Sequence, residues 1–149
     1  MKRNSRLSSM LHILVHMAAR RDEAMTSEHL AGFVQTNPVV IRRAFAGLRD
    51  AGLVASTRGH GGGWQLARTP DRISLAEICS ALGESLLPFG TEPQAPGCLV
   101  EQAVIGALDE FRRVAEKLLA EKLGRVSLAD IAVDVRRRFE LEGTSSHAL

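Results

Sequence analysis

Four of the five residues from 59 to 63 are glycine, and this run constrains the fold more than any other feature of the sequence. The segments on either side, 53–56 and 64–67, are short and apolar enough to be β-strands, which predicts a hairpin with a wide tip. Trp64 is expected to anchor the returning strand to the core. Such a glycine run fits three structures: a phosphate-binding loop, the oxyanion loop of an esterase, or a hairpin tip that contacts a partner.

Neither enzymatic interpretation has the residues that its chemistry needs. Residues 60–63 match the HGGG loop of esterases, but the chain contains no G-x-S-x-G nucleophile elbow. A Walker loop continues from glycine to lysine and then serine or threonine, whereas Gly63 is followed by Trp64. Trp64 also stands where the dinucleotide fingerprint needs its third glycine. We therefore predict that the protein is not an enzyme.

The segments before the hairpin predict three helices. Apolar residues spaced by three and four indicate a first helix over about 7–18. A second helix is expected over about 27–34, and a third over about 38–51, where Asn37 is a good N-cap and Gly52 ends the helix. Two helices joined by a tight polar turn form a helix-turn-helix, and a hairpin directly after it gives the order of a winged helix.

The sequence after the hairpin predicts a long helix that can pair with another helix. A capped helix over about 74–83 has Cys79 on its apolar face, where we expect a small core residue, and a linker rich in proline and glycine follows. Beyond the linker, apolar residues alternate steps of four and three over about 20 residues, which predicts a dimerisation helix. These residues, called the dimer seam, are Val100, Val104, Ala107, Phe111, Val114 and Leu118. A last short helix is expected to reach about residue 138.

The predicted fold is mainly α-helical with a small β-hairpin wing. We divide the chain into a winged helix-turn-helix domain (1–83), a linker loop containing Cys98 (84–98), a helical dimerisation region (99–140) and a frayed tail (141–149). A chain of 149 residues can bury a core without disulfide or metal support.

Charge and composition favour a nucleic-acid partner in a reducing compartment. Residues 1–72 carry eleven Lys and Arg against five Asp and Glu, a net +6, whereas residues 73–149 carry eight against twelve, a net −4. No run reaches the roughly 20 apolar residues of a membrane span, and no signal peptide is visible. Two cysteines do not make a secreted disulfide framework. We therefore predict a cytoplasmic protein with no membrane partner.

The predicted DNA contacts lie on the third helix, at the hairpin tip and at the N-terminus. The second helix of a helix-turn-helix presents its N-terminal, outward side chains to the major groove, where arginine suits guanine and an apolar side chain suits the thymine methyl group. Arg58 at the hairpin could enter a narrow minor groove, and basic residues ahead of the first helix could contact phosphates. The full set is Lys2, Arg3, Arg6, Asn37, Val39, Val40, Arg42, Arg43, Arg49, Arg58, Gly59, His60 and Gly61.

These segments together carry a family resemblance. The run AGLVASTRGHGGGWQLAR, preceded by NPVVIRRAFAGLRD and followed by DRISLAEICSAL, resembles the Rrf2 family of winged-helix transcription regulators. The resemblance covers about residues 1–140. It implies a homodimer, joined through the long C-terminal helix, that binds an inverted repeat in double-stranded DNA. It also implies that the third helix enters the major groove and the Arg58 wing the minor groove.

The cysteines depart from the cluster-binding members of that family. Those members carry three cysteines in the linker, whereas this linker has only Cys98, so the resemblance does not extend to an iron–sulfur cluster and no cofactor is predicted. The chain is more similar to the single-cysteine branch typified by YwnA-like proteins. Cys98 at a helix start is a candidate redox or electrophile sensor because a helix N-terminus favours the thiolate. A metal held by His12 and Cys98 across a dimer is a less favoured alternative to simple packing of His12 and His16.

We therefore predict a homodimeric, sequence-specific DNA-binding regulator, most simply a repressor, in which Cys98 is either a sensor of oxidants or electrophiles or an inert thiol. Two alternatives stay open. The winged helix could bind a partner protein, with its basic face incidental, or the regulator could sense a small ligand or a metal without thiol chemistry.

Overall fold

The computed structural model describes residues 2–84, 87 and 97–142, which form a mainly helical chain with one two-stranded antiparallel sheet. The described elements follow one another as α1 (Lys2–Ala19), α2 (Ser27–Phe33), α3 (Pro38–Asp50), β1 (Val54–Thr57), β2 (Gly63–Leu66), α4 (Leu75–Ala81), α5 (Leu99–Gly124) and α6 (Leu128–Glu142), with a 3₁₀ turn at Pro70–Arg72. In this described part, no helix combines the length and the apolar character needed to cross a membrane. The predicted fold class is confirmed.

The helix-turn-helix is formed by α2 and α3, and each helix begins at a side-chain cap. The Thr26 hydroxyl accepts from the His29 N–H at 3.2 Å, and Asn37 Oδ1 accepts from the Val39 N–H at 2.8 Å. Between them the chain reverses at Gln35, which has a left-handed φ of 50°. Gly52, with a φ of 71°, ends α3 as predicted.

The hydrophobic core lies where α1, α2, α3 and α4 meet. Its largest fully buried side chain is Phe45. The apolar residues whose spacing predicted α1 all face the core: Met10 and Leu14 are buried, and Leu7, Leu11 and Ala18 are half-buried against it. Ile13 and Met17 complete the buried face, because α1 contacts both α2 and α6 and therefore buries a broader arc than one stripe.

The wing (residues 54–66) consists of β1, β2 and the tip between them. Val54 pairs with Leu66 and Thr57 with Gly63. Met25, in the connection before α2, adds a bridge that the sequence did not predict: its N–H donates to the Trp64 carbonyl at 3.0 Å, and the Trp64 N–H donates back at 2.8 Å. The wing is therefore joined to the chain before the helix-turn-helix as well as to the chain after it.

Trp64 anchors the wing to the domain, as predicted. Its indole N–H donates to Ser27 Oγ at 3.0 Å, and its ring meets Phe45 edge-to-face with the centroids 5.2 Å apart. Arg68 fixes the chain leaving the wing, since it donates to the Gly52 carbonyl at 3.2 Å and to Glu77 at 3.0 Å. The wing is thus held to the domain through Trp64 in β2 and through Arg68 directly after the wing.

The last helix extends beyond its predicted end. α6 was expected to be short and to end near residue 138, but it has 15 residues and ends at Glu142. Its first residue, Leu128, is fully buried in the core of the winged-helix domain, and the Leu128 N–H donates to the Ile73 carbonyl at 2.8 Å. α6 therefore packs against the winged-helix domain of its own chain. The predicted frayed tail beyond residue 142 and most of the linker lie outside the described residues.

Candidate nucleic-acid interface

The outward face of α3 carries the predicted base-reading side chains. Val39 and Val40 are 45% and 40% exposed, and Arg42 and Arg43 are also exposed. Ile41, Ala44, Phe45 and Leu48, on the opposite face, are buried in the core. Two exposed valines beside two exposed arginines offer the apolar and guanidinium contacts that reading a base edge requires.

Other predicted contacts on α3 already have intramolecular partners. The Asn37 side-chain oxygen accepts the N-cap hydrogen bond of α3, whereas the two N–H donors of its side chain are not used by this cap. Arg49 Nη2 contacts Asp50 Oδ1 at 3.2 Å on the exposed end of the helix. Arg42 Nη2 contacts Glu28 Oε1 of α2 at 2.5 Å. Arg43 has no ion pair within the described part of the chain.

The tip of the wing is exposed, and its glycines are required by the backbone. Gly59 and Gly61 have left-handed φ values of 96° and 78°, which favour glycine. A Cβ at Gly62 would come within 2.5 Å of the Thr57 carbonyl oxygen, and one at Gly63 within 2.6 Å of the Met25 carbonyl oxygen. The glycine run is therefore explained by the fold of the wing before any ligand is considered. Arg58 and His60 are exposed at this tip.

The basic N-terminal residues lie inside α1, not ahead of it as predicted. α1 begins at Lys2, so Lys2, Arg3 and Arg6 are all helical. The side chains of Lys2 and Arg3 lie outside the described part of the structure. Arg6 Nη1 lies 3.4 Å from Glu84 Oε1, and this contact ties α1 to the start of the linker. A phosphate would have to compete with Glu84 for the Arg6 guanidinium.

The dimer seam is exposed along α5. Val100 and Phe111 are each 74% exposed, and none of the 26 residues of α5 is fully buried within one chain. The opposite side of the helix contacts α4. The row of valine, leucine and phenylalanine at coiled-coil spacing is therefore uncovered in the single chain.

A cleft of about 470 Å³ lies between α4 and α5. Leu119 and Leu123 line it from α5, and Cys79 and Glu84 line it from the other side. A cleft of this size is within the range that binds small molecules.

The two cysteines have different environments. Cys79 is buried, with 8% of its surface exposed, as predicted, and burial raises the pKa of its thiol, with a smaller effect from Glu84. Cys98 is exposed at the N-cap of α5 and makes no capping hydrogen bond with its side chain.

These residues do not fit an iron–sulfur cluster within one chain. Such clusters take four ligands, mostly thiolates, and the whole sequence contains two cysteines, one of which is buried in the core. Among the described residues no three His, Cys, Asp or Glu side chains are grouped so that they could hold a metal ion.

The two histidines of α1 interact with each other and with α2. His12 Nε2 and His16 Nε2 lie 2.9 Å apart. The His16 ring stacks on Phe33 with the centroids 4.2 Å apart, and burial, followed by the nearby charges of His12 and Arg20, lowers the pKa of His16. His16 therefore packs against α2.

Sequence reasoning missed Glu28 and Arg68. Glu28 contacts Arg42 across the helix-turn-helix, and Arg68 bridges Gly52, Arg72 and Glu77. Neither contact could be found from a regular spacing of residues in the sequence, because the partners come from different secondary-structure elements. The one available clue is that the basic half contains only five acidic residues, so each of them is a candidate partner for an arginine.

Comparison with known proteins gives a consistent assignment. The Rrf2 family model, described as an iron-dependent transcriptional regulator, matches residues 3–134. YwnA of Bacillus subtilis (strain 168), described as an HTH-type transcriptional regulator, is 35% identical over 130 residues, which cover 86% of this chain and 95% of YwnA. A solved structure described as a DNA-binding protein is 32% identical with a TM-score of 0.67 and covers 85% of this chain and 97% of its own. The oxidized form of CymR from Staphylococcus aureus is 26% identical with a TM-score of 0.57, over 89% and 96% of the two chains. The chain therefore belongs to the Rrf2 family of transcriptional regulators.

Proposed function

We propose that this protein is a cytoplasmic homodimer that binds an inverted repeat in double-stranded DNA through α3 and the wing. The observation that carries the proposal is the division of α3 into a buried face and an outward face with two valines and two arginines. A dimer presents two such helices, so half-sites about one helical turn, roughly 34 Å, apart are expected. We expect repression as the output, because a dimer bound at a promoter excludes other proteins from it.

The dimer proposal rests on the seam of α5. Its apolar residues follow the four-and-three spacing that lets two helices interdigitate, and a second copy offers a matching row. The same surface left in water would expose a large apolar patch on a monomer. Association of two copies through α5 covers it.

Binding-site selection on random duplex DNA, done with reduced and with oxidised protein, tests the proposed function. We expect the reduced protein to enrich an inverted repeat. Enrichment of no sequence by either form, together with tight binding of a protein partner, would favour the interaction-module alternative. The cleft between α4 and α5 is the observation that favours the other alternative, in which a small ligand sets DNA affinity.

Arg58→Ala is expected to lower affinity for the enriched site by about tenfold to a hundredfold. Arg58 lies exposed at the wing tip without an ion-pair partner among the described residues, so its charge is available to a groove or a phosphate. Arg42→Ala is expected to relax preference at one base pair in each half-site. Fluorescence anisotropy on the site and on singly substituted duplexes measures both effects.

Arg136→Ala is the matched control for these variants, because Arg136 is exposed on α6 and belongs to neither α3 nor the wing. It should bind like the unmodified protein. If both Arg58→Ala and Arg42→Ala keep wild-type affinity and base preference, the proposal that α3 and the wing contact DNA is wrong.

We further propose that Cys98 is the site of an oxidant response. The thiol is exposed and makes no capping hydrogen bond, so hydrogen peroxide can oxidise it to sulfenic acid: an S–O bond forms, the peroxide O–O bond breaks, and water is released. A related protein, CymR of Staphylococcus aureus, is known in an oxidized form. Cys98→Ser is expected to abolish any change in DNA affinity on peroxide treatment and to leave the reduced affinity unchanged.

The control for this experiment is Cys79→Ala, which removes the buried thiol and should keep the response. Mass spectrometry before and after treatment identifies the modified cysteine. A peroxide response that survives in Cys98→Ser would remove Cys98 from the mechanism.

A further inference from the structure

An ion pair connects the two helices of the helix-turn-helix at its outer surface. Glu28 Oε1 of α2 lies 2.5 Å from Arg42 Nη2 of α3, although the residues are 14 positions apart in the chain. Both side chains stay exposed, 62% for Glu28 and 54% for Arg42. The pair is therefore formed at the surface that, in the proposed function, meets DNA.

Glu28 remains ionised and in place in this setting. It is in the first turn of α2, two residues after the Thr26 cap. Its own backbone N–H and the charge and side chain of Arg42 lower the pKa of its carboxyl group, so the carboxylate is charged at neutral pH. A negative charge thus lies beside Arg42 of α3.

The carboxylate acts on Arg42 in two ways. A guanidinium has five N–H donors in one plane, so a contact through Nη2 leaves other donors free for the acceptors of a guanine. An arginine that already contacts a partner loses less side-chain entropy when it binds DNA. This lower cost favours the base whose acceptors match the free N–H donors of the Arg42 guanidinium. The same carboxylate repels phosphates, so binding modes that use Arg42 only as a phosphate contact are penalised.

We propose that Glu28 is a specificity-determining residue, which positions Arg42 for one base pair in each half-site and weakens non-specific binding. The inference rests on the proposed function, since it concerns which DNA is bound and not whether DNA is bound. Glu28 itself needs no contact with a base. Its effect is exerted through the direction of the Arg42 guanidinium.

The test compares Glu28→Gln with the unmodified protein on three duplexes: the enriched site, the same site changed at the base pair that Arg42→Ala relaxes, and a shuffled sequence. We expect Glu28→Gln to bind the shuffled duplex about threefold more tightly. Discrimination at the Arg42 base pair is expected to fall by about five- to tenfold. An unchanged thermal midpoint would show that the fold is kept.

Two further variants separate the local contact from the loss of a charge. Glu23→Gln removes the same charge from an exposed residue of the α1–α2 connection, and it should leave discrimination unchanged. In an Arg42→Ala background, Glu28→Gln should no longer alter base preference, because the residue it positions is gone.

The outcomes distinguish this inference from the proposed function. If the unmodified protein discriminates between duplexes and Glu28→Gln discriminates equally well, the role of Glu28 is wrong and the proposed function stands. An equal loss in Glu23→Gln would also overturn it, since the effect would then be one of net charge. If the unmodified protein prefers no duplex, both proposals fall together.

Discussion

Phe111→Asp is expected to convert the protein to a monomer and to lower its affinity for an inverted repeat by at least about a hundredfold. Phe111 lies near the middle of the dimer seam and is 74% exposed in the single chain. In a dimer, the new carboxylate would be buried among valines and leucines without a partner, at a cost that exceeds the gain from the remaining contacts. A monomer binds one half-site at a time and loses the avidity of two linked DNA-binding domains.

Sedimentation velocity and DNA-binding isotherms measure the two effects. Gln102→Asp is the matched control, because it adds the same charge to α5 at an exposed position outside the seam. It should stay dimeric and bind DNA normally. A Phe111→Asp protein that sediments as a dimer would show that α5 does not form the dimer interface.

Gly63→Ala is expected to lower the free energy of unfolding by an amount near the upper end of about 1–3 kcal/mol. A Cβ at this position would lie 2.6 Å from the Met25 carbonyl oxygen and 2.7 Å from the Met25 carbonyl carbon. Both are backbone atoms held by the paired hydrogen bonds between Met25 and Trp64, so neither can move without breaking the bridge. Trp64 would be displaced with it, and the wing would lose its anchor on Phe45.

Urea unfolding measures this loss. Gly32→Ala is the matched control, since a Cβ there meets nothing within 4 Å and the residue lies in a helix. That variant should be about 0.5–1 kcal/mol more stable. Equal stability of Gly63→Ala and the unmodified protein would mean that the Met25 bridge does not fix the wing.

The elements that local chemistry specifies could be predicted from the sequence. Asn37 as a cap, Gly52 as a stop and the capping box of Ser74 with Glu77 each depend on a few neighbouring residues, and the structure has all three. The spacing of apolar residues likewise predicted the exposed row on α5. These features are determined by contacts within one helix or one turn.

The features that depend on distant pairs could not be predicted. A single bridge at Met25 has no repeating pattern, and the packing of Leu128 into the core depends on where the chain returns after α5. Glu28 and Arg42 lie in separate helices whose relative placement sets their distance. The glycine run was correctly predicted to lie at the hairpin tip. The sequence did not show why residue 63 must be glycine, because the Met25 carbonyl that a Cβ would meet comes close only in the folded chain.

The salt dependence of binding tests whether this protein is a sequence-specific DNA-binding dimer. Equilibrium binding of the enriched inverted repeat and of a shuffled duplex would be measured between 50 and 200 mM salt. A dimer that contacts phosphates from two helices and two wings should lose about a thousandfold in affinity over this range, while it keeps its preference for the inverted repeat at each concentration. Binding that changes little with salt and does not distinguish the two duplexes would show that the protein is not a sequence-specific DNA-binding dimer.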